Sequence, residues 1–275
     1  MIELALKNRY HQQISGKIDH EKEIQELKAI GMDMAVLTIK DYTYLEGDQI
    51  HITIDKANCY LMVQLDETLA PTLIYLTKKT WNYLIPIAQS DKKASVETAF
   101  SSKRHHLTVR KAYDFEINNY QNLSINPHDQ KENTYAYPHA IANVETRDDA
   151  VFFAKNAIDG KYGNLSHGSY PYNSWGINQQ ADAALTIEFG RVVEVDRIRL
   201  LFRADYPHDS HWKEATLCFS DGEEIVVSTT DSPHFQEFSF SPIKTTSITL
   251  KQLKKAPDAS PFPALTQIEV FGKNR

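Results

Sequence analysis

Leu185-Thr186-Ile187-Glu188-Phe189-Gly190 decides the reading of the second half of the chain. Apolar Leu185, Ile187 and Phe189 alternate with polar Thr186 and Glu188, the period of two that turns one face of a strand to a core and the other to solvent. Working outward, Ile198, Leu200 and Phe202 repeat the pattern around Arg199 and Leu201. Leu217 and Phe219 precede an Asp221-Gly222 turn signal, and Phe238 with Phe240, Ile248 with Leu250, and Ile268 with Val270 continue the series. Short strands punctuated by Gly, Pro and Asp, with no helical pattern between them, predict a jelly-roll or Greek-key β-sandwich rather than a parallel α/β sheet.

The first half reads the same way. Ile50, Ile52 and Ile54, then Leu61, Val63 and Leu65, alternate with polar neighbours, and Leu73-Ile74-Tyr75-Leu76 and the stretches 84–87 and 107–109 add further strands. Near the N-terminus, Asp19 as a cap, Ile24, Leu27 and Ile30 at helical spacing and Gly31 as a stop predict one short amphipathic helix. Residues 118–133, rich in Asn, Asp, Gln and Pro and without a period, read as a linker. The expectation is an all-β protein of two sandwiches: an N-terminal domain over 1–130 with no assigned role, and a C-terminal domain over 131–275.

Among the 275 residues, 41% are hydrophobic and 24% charged, the balance of a chain that buries a core. A net charge of −6, from 30 Lys and Arg against 36 Asp and Glu, supplies no basic stripe for a phosphate backbone, which argues against nucleic acid as a partner. No stretch approaches the roughly 20 apolar residues of a membrane span. The opening Met1-Ile2-Glu3-Leu4-Ala5-Leu6-Lys7 lacks the basic and continuous apolar regions of a secretory leader, so a cytoplasmic location is expected, or a secreted one if a leader has been trimmed. Cys59 and Cys218 lie far apart in strand patterns and are expected to be reduced.

The landmarks of the second half occur in a telling order. Asn156-Ala157-Ile158-Asp159-Gly160 is followed by Ser174-Trp175, the Leu185 strand, Val195-Asp196-Arg197-Ile198 and Phe202-Arg203-Ala204-Asp205. Phe219-Ser220-Asp221-Gly222 comes next, and the chain closes on Ala264-Leu265-Thr266-Gln267-Ile268-Glu269-Val270-Phe271-Gly272. This series resembles the coagulation factor 5/8 type C, or discoidin, family of galactose-binding-like domains, which includes many bacterial carbohydrate-binding modules. The resemblance implies a galactose-binding-like sandwich with a lectin-like, non-catalytic role: binding carbohydrate through loops at one end. It also implies that Arg203, Asp205 and His167 lie at that end. A structural Ca²⁺ between Asp159 and the position before the last strand is implied as well, where Gln267 stands instead of a carboxylate and removes one negative charge.

The residue chemistry of the Arg203–Trp212 stretch is consistent with such a site. An Arg fork beside the Asp205 carboxylate suits neighbouring sugar hydroxyls, which both donate and accept, although the same pair also reads as a structural ion pair. His208 and His167 each offer a donor and an acceptor, and Trp212 and Trp175 offer flat apolar faces to a pyranose ring, with Trp175 equally readable as a core residue. The chain has no Gly-x-Ser-x-Gly, no His-Glu-x-x-His, no P-loop and no Gly-x-Gly-x-x-Gly, so a binder is expected rather than an enzyme. Two alternatives stay open: a sugar- or uronate-processing enzyme using His208, Asp209 and His211 as acid/base or metal groups, and a protein–protein assembly module.

Overall fold

The computed structural model describes residues 1–18 and 23–275, which form two compact units. The first comprises Met1–Ile117 with Glu132–Ala136, and the second Asn118–Lys131 with Tyr137–Arg275.

The first unit carries β1 (Ile2–Lys7), β2 (Ser15–Gly16), β3 (Gln25–Glu26), β4 (Lys28–Gly31), β5 (Met34–Lys40), β6 (Gln49–Ile54), β7 (Cys59–Gln64), β8 (Thr72–Leu76), β9 (Thr80–Leu84) and β10 (Arg104–Lys111). One sheet runs β4-β1-β6-β9 and the other includes β8-β7-β10-β5. Their pairings are antiparallel. Alternation in the sequence becomes alternation in burial: Leu4, Leu6, Ile50, Ile52 and Trp81 from one sheet meet Leu37, Leu61, Val63, Ile74, Leu107 and Val109 from the other in one core.

Residues 25–31 do not form the expected helix. Gln25–Glu26 and Lys28–Gly31 are strands, and β4 lies against β1 in the register Ile2↔Gly31 to Ala5↔Lys28. Leu27 is buried, but Ile24 and Ile30 are exposed, so the three never form one apolar face. The edge of β1 took Lys28–Gly31 as a partner and β2 took Gln25–Glu26, and pairing outweighed a weak local period. Asp19, the expected cap, lies outside the described residues. The helices of the described residues are short, chiefly α1 (Gln89–Lys92) and α2 (Asp114–Asn118).

The remaining strands are β11 (Gln121–Asn122), β12 (Ala136–Tyr137), β13 (His139–Ala142), β14 (Trp175–Gly176), β15 (Leu185–Phe202), β16 (Trp212–Phe219), β17 (Glu224–Ser228), β18 (Gln236–Lys255) and β19 (Ala264–Asn274). In the second unit the order is β11-β19-β15-β18-β16-β17, with β13 on β15 and β14 on β19. β15 and β18 are much longer than the short apolar runs suggest, at 18 and 20 residues. Register shifts between Glu188 and Val193, and again between Val195 and Arg197, bend this ribbon, so inward residues on both sides of the bends share one core. Gly190 sits at the first bend with φ +65°, and a Cβ there would meet the Tyr137 ring at 2.3 Å.

The polar stretch 118–133 is not the linker its composition suggests. β11 pairs with β19, and Leu123 enters the core. The Ser124 hydroxyl donates to the Ile268 carbonyl at 2.9 Å and the Asn126 amide to the Pro138 carbonyl at 2.7 Å. Buried Asp129 accepts from His139 Nδ1 at 2.8 Å and from the Ala140 N–H at 2.9 Å. These polar groups satisfy one another inside the unit, an arrangement that looks like a linker when only composition is read.

Candidate functional site

Three segments of the second unit meet at one end: the loop carrying His167, the loop from Arg203 to His211 between β15 and β16, and the loop carrying Phe262 before β19. Backbone bonds fix them. The Ala204 N–H donates to the Asn164 carbonyl at 2.8 Å, the Arg203 N–H to the Ala264 carbonyl at 3.1 Å, and the Phe262 N–H to the Pro207 carbonyl at 3.3 Å.

Arg203 is only 1% exposed. Its Nε and Nη2 donate to Asp205 Oδ1 at 2.8 and 2.5 Å, and Nη1 donates to the Tyr172 carbonyl at 3.1 Å and to Ser174 Oγ at 3.2 Å. The fork expected to clasp two sugar hydroxyls is therefore committed to the protein, with one N–H left over. Burial pulls the Arg203 pKa down from its ordinary value and Asp205 opposes that pull. Asp205 Oδ2 in turn accepts from His167 Nδ1 at 2.7 Å. A carboxylate only accepts here, so the proton sits on Nδ1 and the neutral ring's lone pair is on Nε2. His208 is held likewise: its Nδ1 donates to the Phe262 carbonyl at 3.0 Å, leaving Nε2 as its acceptor. The two imidazole centroids are 5.1 Å apart. Burial first, and then the Arg203 charge, lower the His208 pKa and favour the neutral ring.

The structure thus brings together His167, Arg203, Asp205 and His208. It does not bring the two tryptophans to them. Trp175 and Trp212 are fully buried, their rings 5.8 Å apart, and Trp212 lies edge-on to Phe202. Both close the core beneath the loops, because an indole at the start of a strand fills the sandwich end better than any smaller residue. Exposed aromatic surface comes instead from Tyr206, beside Asp205, and from Phe262, whose ring centroid is 5.9 Å from that of His208. Pro261 and Pro263 flank Phe262, the one sequence signal that marked it as a rigid loop aromatic.

His208, Asp209 and His211 do not form a cluster. Asp209 accepts from the Ser260 hydroxyl, and among the described residues His208 groups with His167 and Asp205 instead. The chain turns at Tyr206-Pro207, where the His208 N–H donates back to the Asp205 carbonyl, so sequence adjacency did not become spatial adjacency.

Asp159 and Gln267 do meet, but as a closed polar contact. Gln267 Nε2 donates to Asp159 Oδ1 at 2.8 Å and to the Asn156 carbonyl at 2.6 Å, while its Oε1 accepts from the Gly160 N–H at 3.2 Å. The Lys161 ammonium is 3.2 Å from Asp159 Oδ2. Donors face the carboxylate where a cation would need oxygens, so these residues do not fit Ca²⁺. Burial raises the Asp159 pKa, and Lys161 is foremost in opposing it.

No family model matches the chain, and no curated protein is similar to it. Solved structures are. A family 32 carbohydrate-binding module of C. perfringens NanJ, in complex with galactose, is 19% identical with a TM-score of 0.37, over 48% of this chain and 91% of that one. Chitosan-binding module 1 from a chitosanase/glucanase of Paenibacillus sp. IK-5 is 16% identical with a TM-score of 0.39, over 55% of this chain and 98% of that one. A Streptococcus pneumoniae fucose-binding module is 13% identical with a TM-score of 0.38, over 56% of this chain and 98% of that one. These three solved structures, to which about half of this chain is similar, are carbohydrate-binding modules, and the likeness is to the galactose-binding-like fold.

Proposed function

We propose that the second unit binds carbohydrate without catalysis, at the loop end that carries His167 and His208. The observation that carries this reading is the pair of neighbouring imidazoles whose Nδ1 protons are both taken by the protein. Two Nε2 lone pairs, borne by rings 5.1 Å apart, suit donation from neighbouring hydroxyls of one sugar ring, with no fixed charge required of the ligand. Phe262 and Tyr206 supply apolar surface for its C–H face. Binding fits better than turnover. Asp205 is the carboxylate of the cluster, and both its oxygens are occupied by Arg203 and His167, whereas glycoside hydrolysis needs two available carboxyl groups.

The purified full-length protein on a glycan array tests this, followed by calorimetry with a retained sugar. His167→Ala and His208→Ala should each weaken binding about tenfold, the loss of one hydrogen bond, with little change in melting temperature. Failure to retain any glycan, or full affinity in both variants, would remove the proposed site.

A further inference from the structure

The first unit holds a second chemical cluster, unrelated to the loops above. On β10, burial alternates, and His105 takes an inward position before Leu107 and Val109, where an apolar residue is the usual occupant. It is 4% exposed. Its Nε2 meets the Tyr42 carbonyl at 2.9 Å, and since a carbonyl only accepts, that nitrogen carries the proton. In the neutral ring Nδ1 is then an acceptor, buried and with no hydrogen-bond partner among the described residues. An unmet buried acceptor of this kind is costly, so a donor or a cation belongs there.

Two carboxylates lie near the imidazole. His105, Asp66 and Glu67 each bring one ligand atom within 4.8 Å of the other two. Asp66 is buried and pre-set: its Oδ1 accepts from the Thr68 N–H at 2.9 Å and from Thr68 Oγ1 at 2.5 Å, and its Oδ2 from the Phe100 N–H at 3.0 Å. Two oxygens with about four lone pairs leave room for one more partner. Glu67 is exposed, with Oε1 accepting from the His106 N–H at 2.7 Å and Oε2 free to turn inward. Among the described residues, no Lys or Arg forms an ion pair with either carboxylate. The Tyr44 ring lies tilted against the imidazole with centroids 4.0 Å apart, and its hydroxyl is likewise buried without a partner among the described residues.

We propose that His105 Nδ1, Asp66 and Glu67 bind a divalent transition-metal ion, with solvent completing its coordination. One imidazole with two carboxylates is the ligand set of a borderline ion of the zinc or manganese kind, and donation of the other ring N–H to a backbone carbonyl is the usual way a ligating histidine is oriented. Ligand atoms about 2 Å from such an ion lie about 4 Å apart at most, a closure that rotation of the exposed Glu67 side chain provides. The same exposure gives the ion its way in.

The test uses the full chain, stripped with a chelator and titrated with zinc, with cobalt as the spectroscopic probe. One equivalent should bind, raise the melting temperature by about 5 °C or more at saturating zinc, and give cobalt d–d absorption. Glu67→Ala, at an exposed position, should fold as the parent does and lose at least about tenfold in zinc affinity; His105→Gln should abolish the cobalt signal. Parent-like affinity in Glu67→Ala overturns the proposal even if His105→Gln does not fold. So does a zinc anomalous peak beside His167 and His208 instead of His105, or one water alone at Nδ1 after a zinc soak.

Discussion

Arg203 commits four N–H groups inside the protein and thereby holds Asp205, which holds His167. Its effect on a ligand is indirect, and that distinguishes two substitutions. Arg203→Ala strands a largely buried carboxylate and two unmet acceptors, and should cost roughly 3 to 5 kcal/mol of stability by denaturant unfolding. Arg203→Lys keeps the charge but not the planar fork, so it should recover part of that stability while leaving Asp205 poorly oriented and sugar affinity reduced. A stable, fully binding Arg203→Ala protein would show that the chain from Arg203 through Asp205 to His167 does not matter. The tryptophans belong to the same scale: a residue type suited to stacking on sugars is equally suited to plugging a core, and sequence offers no means of separating the two.

His128 supplies a pH prediction. It is fully buried, and burial first, with the Lys161 charge second, pushes its pKa down to about 3 from an ordinary 6.5. The folded pKa lies below the unfolded one, so between those values the unfolded chain binds the extra proton. The stability that the neutral ring contributes is therefore complete above about pH 6.5 and is lost as pH falls toward 3. One proton per molecule amounts to about 1.4 kcal/mol per pH unit, hence roughly 2 kcal/mol between pH 6.5 and 5. Unfolding at these two pH values in the parent and in His128→Asn measures it: the variant should show a shallower decline, and equal declines would refute the assignment.

At the scale of the elements, the turn after Ile158 sets two donating side chains against Asp159. Lys161 lies against Asp159 and so does the Gln267 amide, which ties the loop to β19. Millimolar calcium added to chelator-stripped protein should therefore leave the melting temperature within about 1 °C, whereas a filled site would shift it through linkage. Lys161→Ala should destabilise by about 1 to 3 kcal/mol, because a buried carboxylate loses its charged partner. The long ribbon of β15 and β18 belongs to this scale too. Its polar residues at Gly190-Arg191 read as a gap between two strands, but bulges carry the hydrogen bonding onward, so several short apolar runs are parts of single bent strands.

For the molecule as a whole, the stretch from Asn118 to Lys131 determines what the second unit needs in order to fold. A fragment starting at residue 132 lacks β11, the Leu123 core contact and Asp129, and leaves His139 without its carboxylate. A fragment starting at residue 118 keeps all of them. The longer fragment should melt about 10 °C or more above the shorter, since losing one partner of a buried pair alone costs about 3 to 5 kcal/mol in a unit of this size. Equal melting temperatures would show that residues 118–131 are dispensable.

The sequence alone determined the all-β architecture, because period-two burial is local: Leu185, Ile187 and Phe189 must share a face whatever they pack against. It also marked His167, Arg203, Asp205 and His208, since ordered landmarks place the loops that carry them. Tertiary structure decided everything that depends on what a side chain meets. Edge pairing made strands of residues 25–31, core closure buried both tryptophans, and long-range hydrogen bonds drew a polar stretch into the second unit. The same dependence kept Asp66, Glu67 and His105 out of view. Two lie in one hairpin loop and the third on a strand nearly forty residues later, and only the folding of the sheet sets a buried imidazole beside two carboxylates.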